Sequence, residues 1–179
     1  MPDQPRSREI SERIKMREQK GFSLIELLIV VAIILIIASI AIPNLMRARM
    51  AAYETAAAQQ LRTINTAEIS YSMAYSGVGY GSLAAMGGAV PCAPSPATAC
   101  LIDNSLASNY NGKGKNGYNF TITLGNNNAQ YTATAYPISV GSSGSNSFCS
   151  IEDAVIRKDA SGANDSVHDT CGALPALGN

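Results

Sequence analysis

A carboxylate stands at the start of the most apolar part of this chain, close to a peptide bond whose cleavage would create a cation. Residues 21–26 read GFSLIE, and an almost entirely apolar run, 27–42, follows. An acidic side chain at the centre of a membrane helix costs about 2.5–3.5 kcal/mol on insertion scales, and less near an interface. Glu26 therefore needs a partner. A cut after Gly21 would give Phe22 a free cationic amine four residues from Glu26.

The residues before the apolar run are charged. Residues 1–21 contain six basic and four acidic side chains, a net charge of +2, and the remainder of the chain contains seven basic and nine acidic side chains. Basic residues before a span place that side in the cytoplasm, and Arg47 and Arg49 beyond it weaken this asymmetry without reversing it. No small-residue cleavage site follows the apolar run, so an ordinary secretory signal is not indicated and the run stays on the mature protein.

The apolar run predicts a helix that continues well beyond the membrane. Residues 22–42, at about 1.5 Å each, can cross a bilayer core. After Pro43, apolar residues step by three or four, which predicts an amphipathic helix over 44–76 that ends near Gly77. This stripe contains Met50, Tyr53, Ala57, Leu61, Ile64, Ala67, Tyr71 and Tyr75. The polar faces contain Arg49, Glu54, Gln59, Arg62 and Glu68.

The rest of the chain predicts a connecting loop followed by a sheet. Residues 77–117 are punctuated by glycine, proline and asparagine, which is typical of a long connection. Apolar and polar residues alternate over 118–124 and 130–136, around a turn at 125–128, and shorter strands are expected at 147–151 and 154–157. An antiparallel meander packed on the helix stripe would bury both apolar faces, so we expect an α+β fold with a head at 118–179.

Four cysteines, Cys92, Cys100, Cys149 and Cys171, follow the span. Their even number fits disulfides in an oxidising compartment, and four cysteines allow three pairings. Cys92–Cys100 and Cys149–Cys171 are favoured because each pair closes a local loop, with reduced buried thiols as the alternative. The spacings match no zinc site, and His168 is the only histidine.

Catalytic and ligand-binding patterns are weak. His168 has no recognisable nucleophile elbow around it, so we expect no enzyme activity, no cofactor and no metal site. The acidic residues Asp159, Asp165 and Asp169 lack EF-hand spacing and are interpreted as solvated loop residues. Few basic side chains lie beyond the span, too few to form an evident basic surface for nucleic-acid phosphates, so nucleic-acid binding is not expected.

The segment Gly-Phe-Ser-Leu-Ile-Glu-Leu, after a basic leader that ends in Lys20 and before Pro43, resembles the type III signal sequence of type IV pilins and of type II secretion pseudopilins. The resemblance implies that a membrane prepilin peptidase removes residues 1–21 by cutting after Gly21 and then N-methylates Phe22. It implies an assembly helix at 22–43, with the amine of Phe22 in one subunit paired with Glu26 of a neighbour. It also implies a helix break at Pro43, for which a simple kink is the alternative.

A pilin resemblance implies a structural role. The first hypothesis is a type IV pilus subunit that supports adhesion, motility or DNA uptake, held in the inner membrane as a precursor with its leader cytoplasmic and its head periplasmic, and then exported into an extracellular pilus. Its implied partners are copies of itself, the prepilin peptidase, an inner-membrane platform and an assembly ATPase. The alternatives are a type II secretion pseudopilin and a membrane-anchored binding domain. In each pilin-like case we expect that Glu26→Leu preserves cleavage and blocks assembly.

Overall fold

The structure of the protein, a computed structural model, describes residues 21–178, so the predicted leader up to Lys20 lies outside the described residues. The chain divides into two compact units, the first ending at Ala41 and the second beginning at Ile42. Within residues 21–178 the chain forms four helices and four strands. They are α1 Leu24–Ala74, α2 Leu83–Met86, α3 Asn104–Ala107, β1 Tyr118–Gly125, β2 Gln130–Pro137, β3 Ser147–Ser150, β4 Arg157–Asp159 and α4 His168–Ala173.

Helix α1 is 51 residues long and contains Pro43, whose role as a helix break stays a prediction. Proline removes one backbone N–H and crowds the carbonyl four residues earlier, that of Ser39. The helix ends slightly before the predicted residue 76, and Gly79 beyond it adopts φ +88°, a left-handed conformation that favours glycine.

The four strands form one antiparallel sheet in the order β1-β2-β3-β4, as the predicted meander requires. Strands β1 and β2 pair over their full length, from Tyr118 opposite Pro137 to Gly125 opposite Gln130. The turn between them holds three consecutive asparagines, 126–128, at φ +48°, +53° and +64°. Asparagine tolerates this region better than most residues, which explains why a run of it makes the turn.

The fourth strand is displaced from its predicted position at 154–157. It begins only at Arg157, because Ala154 has φ +57° and cannot continue an extended strand. The carboxylate of Asp153 accepts the N–H of Val155 at 3.0 Å, which fixes a turn there. The local hydrogen bond from an aspartate therefore overrides the strand tendency of the apolar residues that follow.

The second part of α1 packs on the sheet and forms the core of the α+β head. Leu61, Ile64 and Tyr71 of the helix are buried together with Phe120, Tyr131 and other residues of the sheet. Most of the predicted stripe is therefore buried, because its period of three to four residues keeps it on one face of the helix.

The region predicted as a loop contains two single-turn helices. Ser82 caps α2 by accepting the N–H of Ala85 at 3.2 Å, and Asp103 caps α3 by accepting the N–H of Ser105 at 2.8 Å. Met86 and Leu106 are buried in the core, so the region is anchored by its helices.

The C-terminal segment lies against the sheet. Helix α4, which the sequence pattern did not predict, contacts β2 and β3. Asn164 accepts the hydroxyl of Thr134 at 2.9 Å, and the N–H of Leu177 donates to Ile156 O at 2.7 Å. The head thus has a helix on one side of its sheet and further segments tied to its strands.

Candidate functional site

The candidate processing site is an exposed, non-helical stretch. Gly21 and Phe22 precede α1, and the Phe22 side chain is 81% exposed. The first helical hydrogen bond nearby runs from the N–H of Leu27 to the carbonyl of Ser23 at 3.2 Å. The Gly21–Phe22 bond therefore lies outside the helical hydrogen-bond ladder, where a peptidase could bind the backbone in an extended form.

Glu26 lies in the first turn of α1 and is exposed. The partial positive charge of a helix N-terminus favours a carboxylate at this position. Within residues 21–178 no ion pair involves Glu26. The arrangement leaves the carboxylate open to a cation from outside the described chain.

The first part of α1 has an apolar surface without a partner in the described chain. It contains an 18-residue window that is apolar enough and long enough to span a membrane, and none of that window is buried. Soluble monomers rarely expose an apolar patch of this extent, so such a surface indicates a membrane or a protein interface. The large exposed side chains include Leu24, Leu28, Val31, Ile34, Leu35, Ile37 and Ile40.

Two polar side chains of α1 fasten the rest of the head to the helix. Asn65 donates to Ser150 Oγ at 2.9 Å and accepts the hydroxyl of Tyr131 at 3.1 Å, which ties the helix to β3 and β2. Glu54 accepts the backbone N–H groups of Ser145 and Asn146 at 2.9 and 3.2 Å. The connection between β2 and β3 is therefore held by a carboxylate of the helix.

Glu68 contradicts its predicted place on a polar face, because it is fully buried. Its Oε2 accepts the N–H of Gly81 at 2.9 Å, and its Oε1 has no hydrogen-bond partner. Burial raises the pKa of this carboxyl to about 7, with the Gly81 hydrogen bond acting in the opposite direction. A sequence signal existed: Glu68 follows Ile64 by four residues and precedes Tyr71 by three, in phase with the buried stripe.

The cysteines of the described residues form two disulfides and none is free. Cys92 pairs with Cys100 within the connecting region, with a Cα–Cα distance of 6.1 Å. Cys149 of β3 pairs with Cys171 of α4, with a Cα–Cα distance of 6.0 Å. The second bond joins the C-terminal segment to the sheet.

The single histidine takes part in a contact that the sequence pattern did not reveal. His168 Nε2 lies 2.8 Å from Glu152 Oε2, and Nδ1 lies 3.3 Å from Asp169 Oδ1. The hydrogen bond to Glu152 is the main cause that raises the pKa of His168. Glu152 also accepts the N–H of Tyr131 at 2.6 Å, so the histidine connects α4 to the sheet. Among residues 21–178, no cluster of His, Cys, Asp or Glu has the arrangement of a metal site.

Comparison with known proteins bears on the N-terminal segment. Residues 16–42 match a protein family described as the prokaryotic N-terminal methylation motif. The chain carries a type IV pilin-like N-terminal motif. Over 40 residues it is 62% identical to the type IV wide pilus major component PilA4 of Thermus thermophilus.

This similarity covers 22% of the chain and 30% of the Thermus protein. The chain is therefore aligned with less than a third of that relative's length. No solved structure matches the chain significantly. The pilin-like N-terminal motif and the α+β architecture agree with the resemblance seen in the sequence, whereas the roles of Gly21, Phe22, Glu26 and Pro43 stay predictions.

Proposed function

We propose that the chain is a structural, non-catalytic subunit of a type IV pilus, assembled through the first part of α1. The observation that carries this proposal is the apolar, membrane-length window of α1, none of which is buried, in a helix that has Glu26 in its first turn and follows the Gly21–Phe22 junction. The N-terminal similarity of the chain to a pilus component supports the same proposal.

The chemistry of the helix suits two successive environments. Aliphatic side chains are compatible with hydrocarbon in the membrane and with the packed helices of a filament core. Glu26 is costly in both environments unless a cation neutralises it. The amine of Phe22 in a neighbouring copy would supply that cation and would fix the axial register of the incoming subunit, as buried polar residues fix register in coiled coils.

The route to the filament follows from this assignment. The precursor sits in the inner membrane with its basic leader in the cytoplasm, since positive residues stay on that side. A prepilin peptidase cuts after Gly21 and methylates Phe22, and a membrane platform with its ATPase inserts the subunit into a growing pilus. The head then faces the exterior, where adhesion, motility or DNA uptake would act on its surface.

Mass spectrometry of filaments sheared from the native cell surface tests the proposal. We expect an abundant protein that begins at N-methylated Phe22 and carries two disulfides. Processed protein that stays in the cell envelope would replace the pilus assignment with a type II secretion pseudopilin. A mature protein that still carries residues 1–21 would overturn the processing scheme.

A further inference from the structure

The most unusual buried group of the head is the carboxyl of Glu68. It lies on α1, and its only hydrogen-bond donor among the described residues is the N–H of Gly81, at 2.9 Å from Oε2. Its Oε1 is buried without a partner. No ion pair to Glu68 is formed within residues 21–178. An ionised carboxylate in such a place loses its hydration and gains little in return.

The surroundings of Glu68 are phenolic. The groups near enough for its charge to affect their pKa are Tyr71 on the same helix, Tyr80 in the connecting region and Tyr131 on β2. Burial is the main cause that raises the pKa of each of these phenols, and negative neighbours that include Glu68 raise it further. These side chains therefore offer no compensating positive charge.

Two of the three hydroxyls already donate elsewhere. Tyr71 Oη donates to the carbonyl of Pro96 at 2.6 Å, and Tyr131 Oη donates to Asn65 Oδ1 at 3.1 Å. Their protons are thus committed to other acceptors and do not satisfy Oε1 of Glu68. A proton on Oε1 would neutralise the carboxyl and leave Oε2 free to keep its hydrogen bond with Gly81.

The partner of Glu68 lies where the chain leaves the helix. Gly81 packs on the Tyr71 ring so closely that an added Cβ would lie 3.1 Å from it. Just before it, the N–H of Tyr80 donates to Asn128 O at 2.8 Å, and an added Cβ at Gly79 would lie 2.4 Å from Asn128 O. The Glu68–Gly81 bond therefore joins the helix to the start of the connecting region, beside the β1–β2 turn.

We infer that Glu68 is a proton-controlled latch that holds the start of the connecting region, around Gly81, on α1. With the carboxyl protonated, the buried hydrogen-bonded pair of Glu68 and Gly81 is neutral, and the segment around Gly81 stays packed on α1. With the carboxyl ionised, the hydrogen bond from Gly81 is itself stronger, but the larger cost of burying the charge draws in water, and the segment around Gly81 loosens. Burial places the pKa of Glu68 at about 7, so both states are populated near neutral pH.

A second titratable group lies close enough to the same residues that its effect has to be separated from that of Glu68. The pKa of His168 is raised above its usual 6.5, mainly by its hydrogen bond with Glu152. Since Glu152 also accepts the N–H of Tyr131, a change at His168 could reach Tyr131 and then the surroundings of Glu68. A variant at each site distinguishes the two sources.

The test is a pH titration by NMR of the full-length mature protein in detergent micelles, followed at the amide of Gly81. A backbone N–H that donates to a carboxylate shifts its resonance when that carboxylate gains a proton. We expect the Gly81 amide to titrate with a midpoint near 7, and its hydrogen exchange, corrected for intrinsic rates, to be at least about 10-fold faster at pH 8.5 than at pH 5.5.

In Glu68→Gln, which is neutral at every pH, both changes should disappear. In His168→Gln they should persist. A Gly81 amide that is flat from pH 5 to 8.5, or that titrates near the ordinary glutamate value, would overturn the latch. A titration that disappears in His168→Gln and survives in Glu68→Gln would assign the effect to the histidine and overturn it as well. These outcomes do not depend on filament formation.

Discussion

Ile36 and Ile64 belong to the same helix, yet Ile36 is 64% exposed and Ile64 is 0% exposed. The first part of α1 presents its aliphatic side chains in every direction, whereas the second part buries a stripe of them against the sheet. Composition alone does not produce this difference. A long apolar run without polar positions has no preferred buried face, but a stripe at three- and four-residue steps has one.

The two parts therefore derive their stability from different sources. The second part is held by the core of its own chain and by polar anchors such as Asn65. The first part has no such core, because none of its membrane-length window is buried within the described residues, and the proposed function supplies a membrane or copies of the chain instead. The following predictions test this division.

The largest effect is expected from removing residues 1–43. Since the removed window is not buried, the head should lose no core contact and should become a soluble, folded monomer, while the full chain stays in the membrane. Each central Leu, Ile, Phe or Val contributes about −0.3 to −0.6 kcal/mol to membrane insertion. Cell fractionation measures whether the truncated head is soluble, and circular dichroism measures whether it is folded. A truncated head that is unfolded would show that the first part of α1 stabilises it.

The next largest effect, on the free energy of unfolding, is expected from comparing two matched substitutions, Ile64→Ala and Ile36→Ala. The first opens a cavity in the core and should lower the free energy of unfolding of the head by about 2–5 kcal/mol. The second should change it by less than about 0.5 kcal/mol, because Ile36 makes no buried contact. Denaturant titration of both full-length variants in the same detergent provides the comparison. Equal losses would contradict the division of the helix.

A pH-dependent effect on the stability of the head is expected from Glu68. The pKa of Glu68 in the folded state, about 7, lies above the ordinary value of 4.5, so the folded state binds the extra proton between these values. Its contribution to stability is complete below about pH 4.5, falls as the pH rises to about 7 and is then lost. The decline amounts to roughly 3 kcal/mol.

Since His168 also has a raised pKa, its contribution to stability declines with rising pH as well. The measured quantity is therefore the difference in unfolding free energy between wild type and Glu68→Gln, from pH 4.5 to 8. This difference, wild type minus Glu68→Gln, should decrease by roughly 3 kcal/mol over this range. A wild-type profile parallel to that of Glu68→Gln would refute the assignment.

A smaller effect is expected from the disulfide of the connecting region. The Cys92–Cys100 bond closes a loop with a sequence separation of 8, for which the chain-entropy relation gives about 2.5 kcal/mol. The double variant Cys92→Ser/Cys100→Ser should lower the stability of the head by that order and leave membrane partition unchanged. Thermal unfolding and fractionation provide both readouts, and a variant that leaves the membrane would indicate coupling between the two parts of the chain.

Periodicity explains how much of the fold the sequence predicts. Strands β1 and β2 alternate for seven residues or more, and the stripe of α1 repeats over several turns, so both are recognisable. Helices α2 and α3 are four residues long and α4 is six, too short to show a period. The formation of α2 and α3 depends on the caps Ser82 and Asp103 and on burial of Met86 and Leu106.

The polar residues of the candidate sites likewise differ in how well the sequence predicts their environment. The motif at residues 21–26 is recognisable because its residue types and spacing are unusual before an apolar run. The residue type of Glu68 predicts a polar face, because charged residues are rarely buried without a partner, even though its phase matches the buried stripe. Its environment is created by Tyr80, Tyr131 and Gly81, which approach it only when the sheet and the connecting region have formed. The prediction from residue type is therefore wrong, and the position of Glu68 in phase with the stripe is the better guide to its burial.

The most direct test of the central claim, that the first part of α1 is built to pair Glu26 with a copy of the chain, is filament formation by Glu26→Leu in native cells. The matched control is Ser39→Leu, which also replaces a polar residue of this helix by leucine but keeps the carboxylate. The account predicts that both variants are processed to begin at Phe22, and that only Glu26→Leu lacks surface filaments by electron microscopy. Normal filaments from processed Glu26→Leu would contradict it.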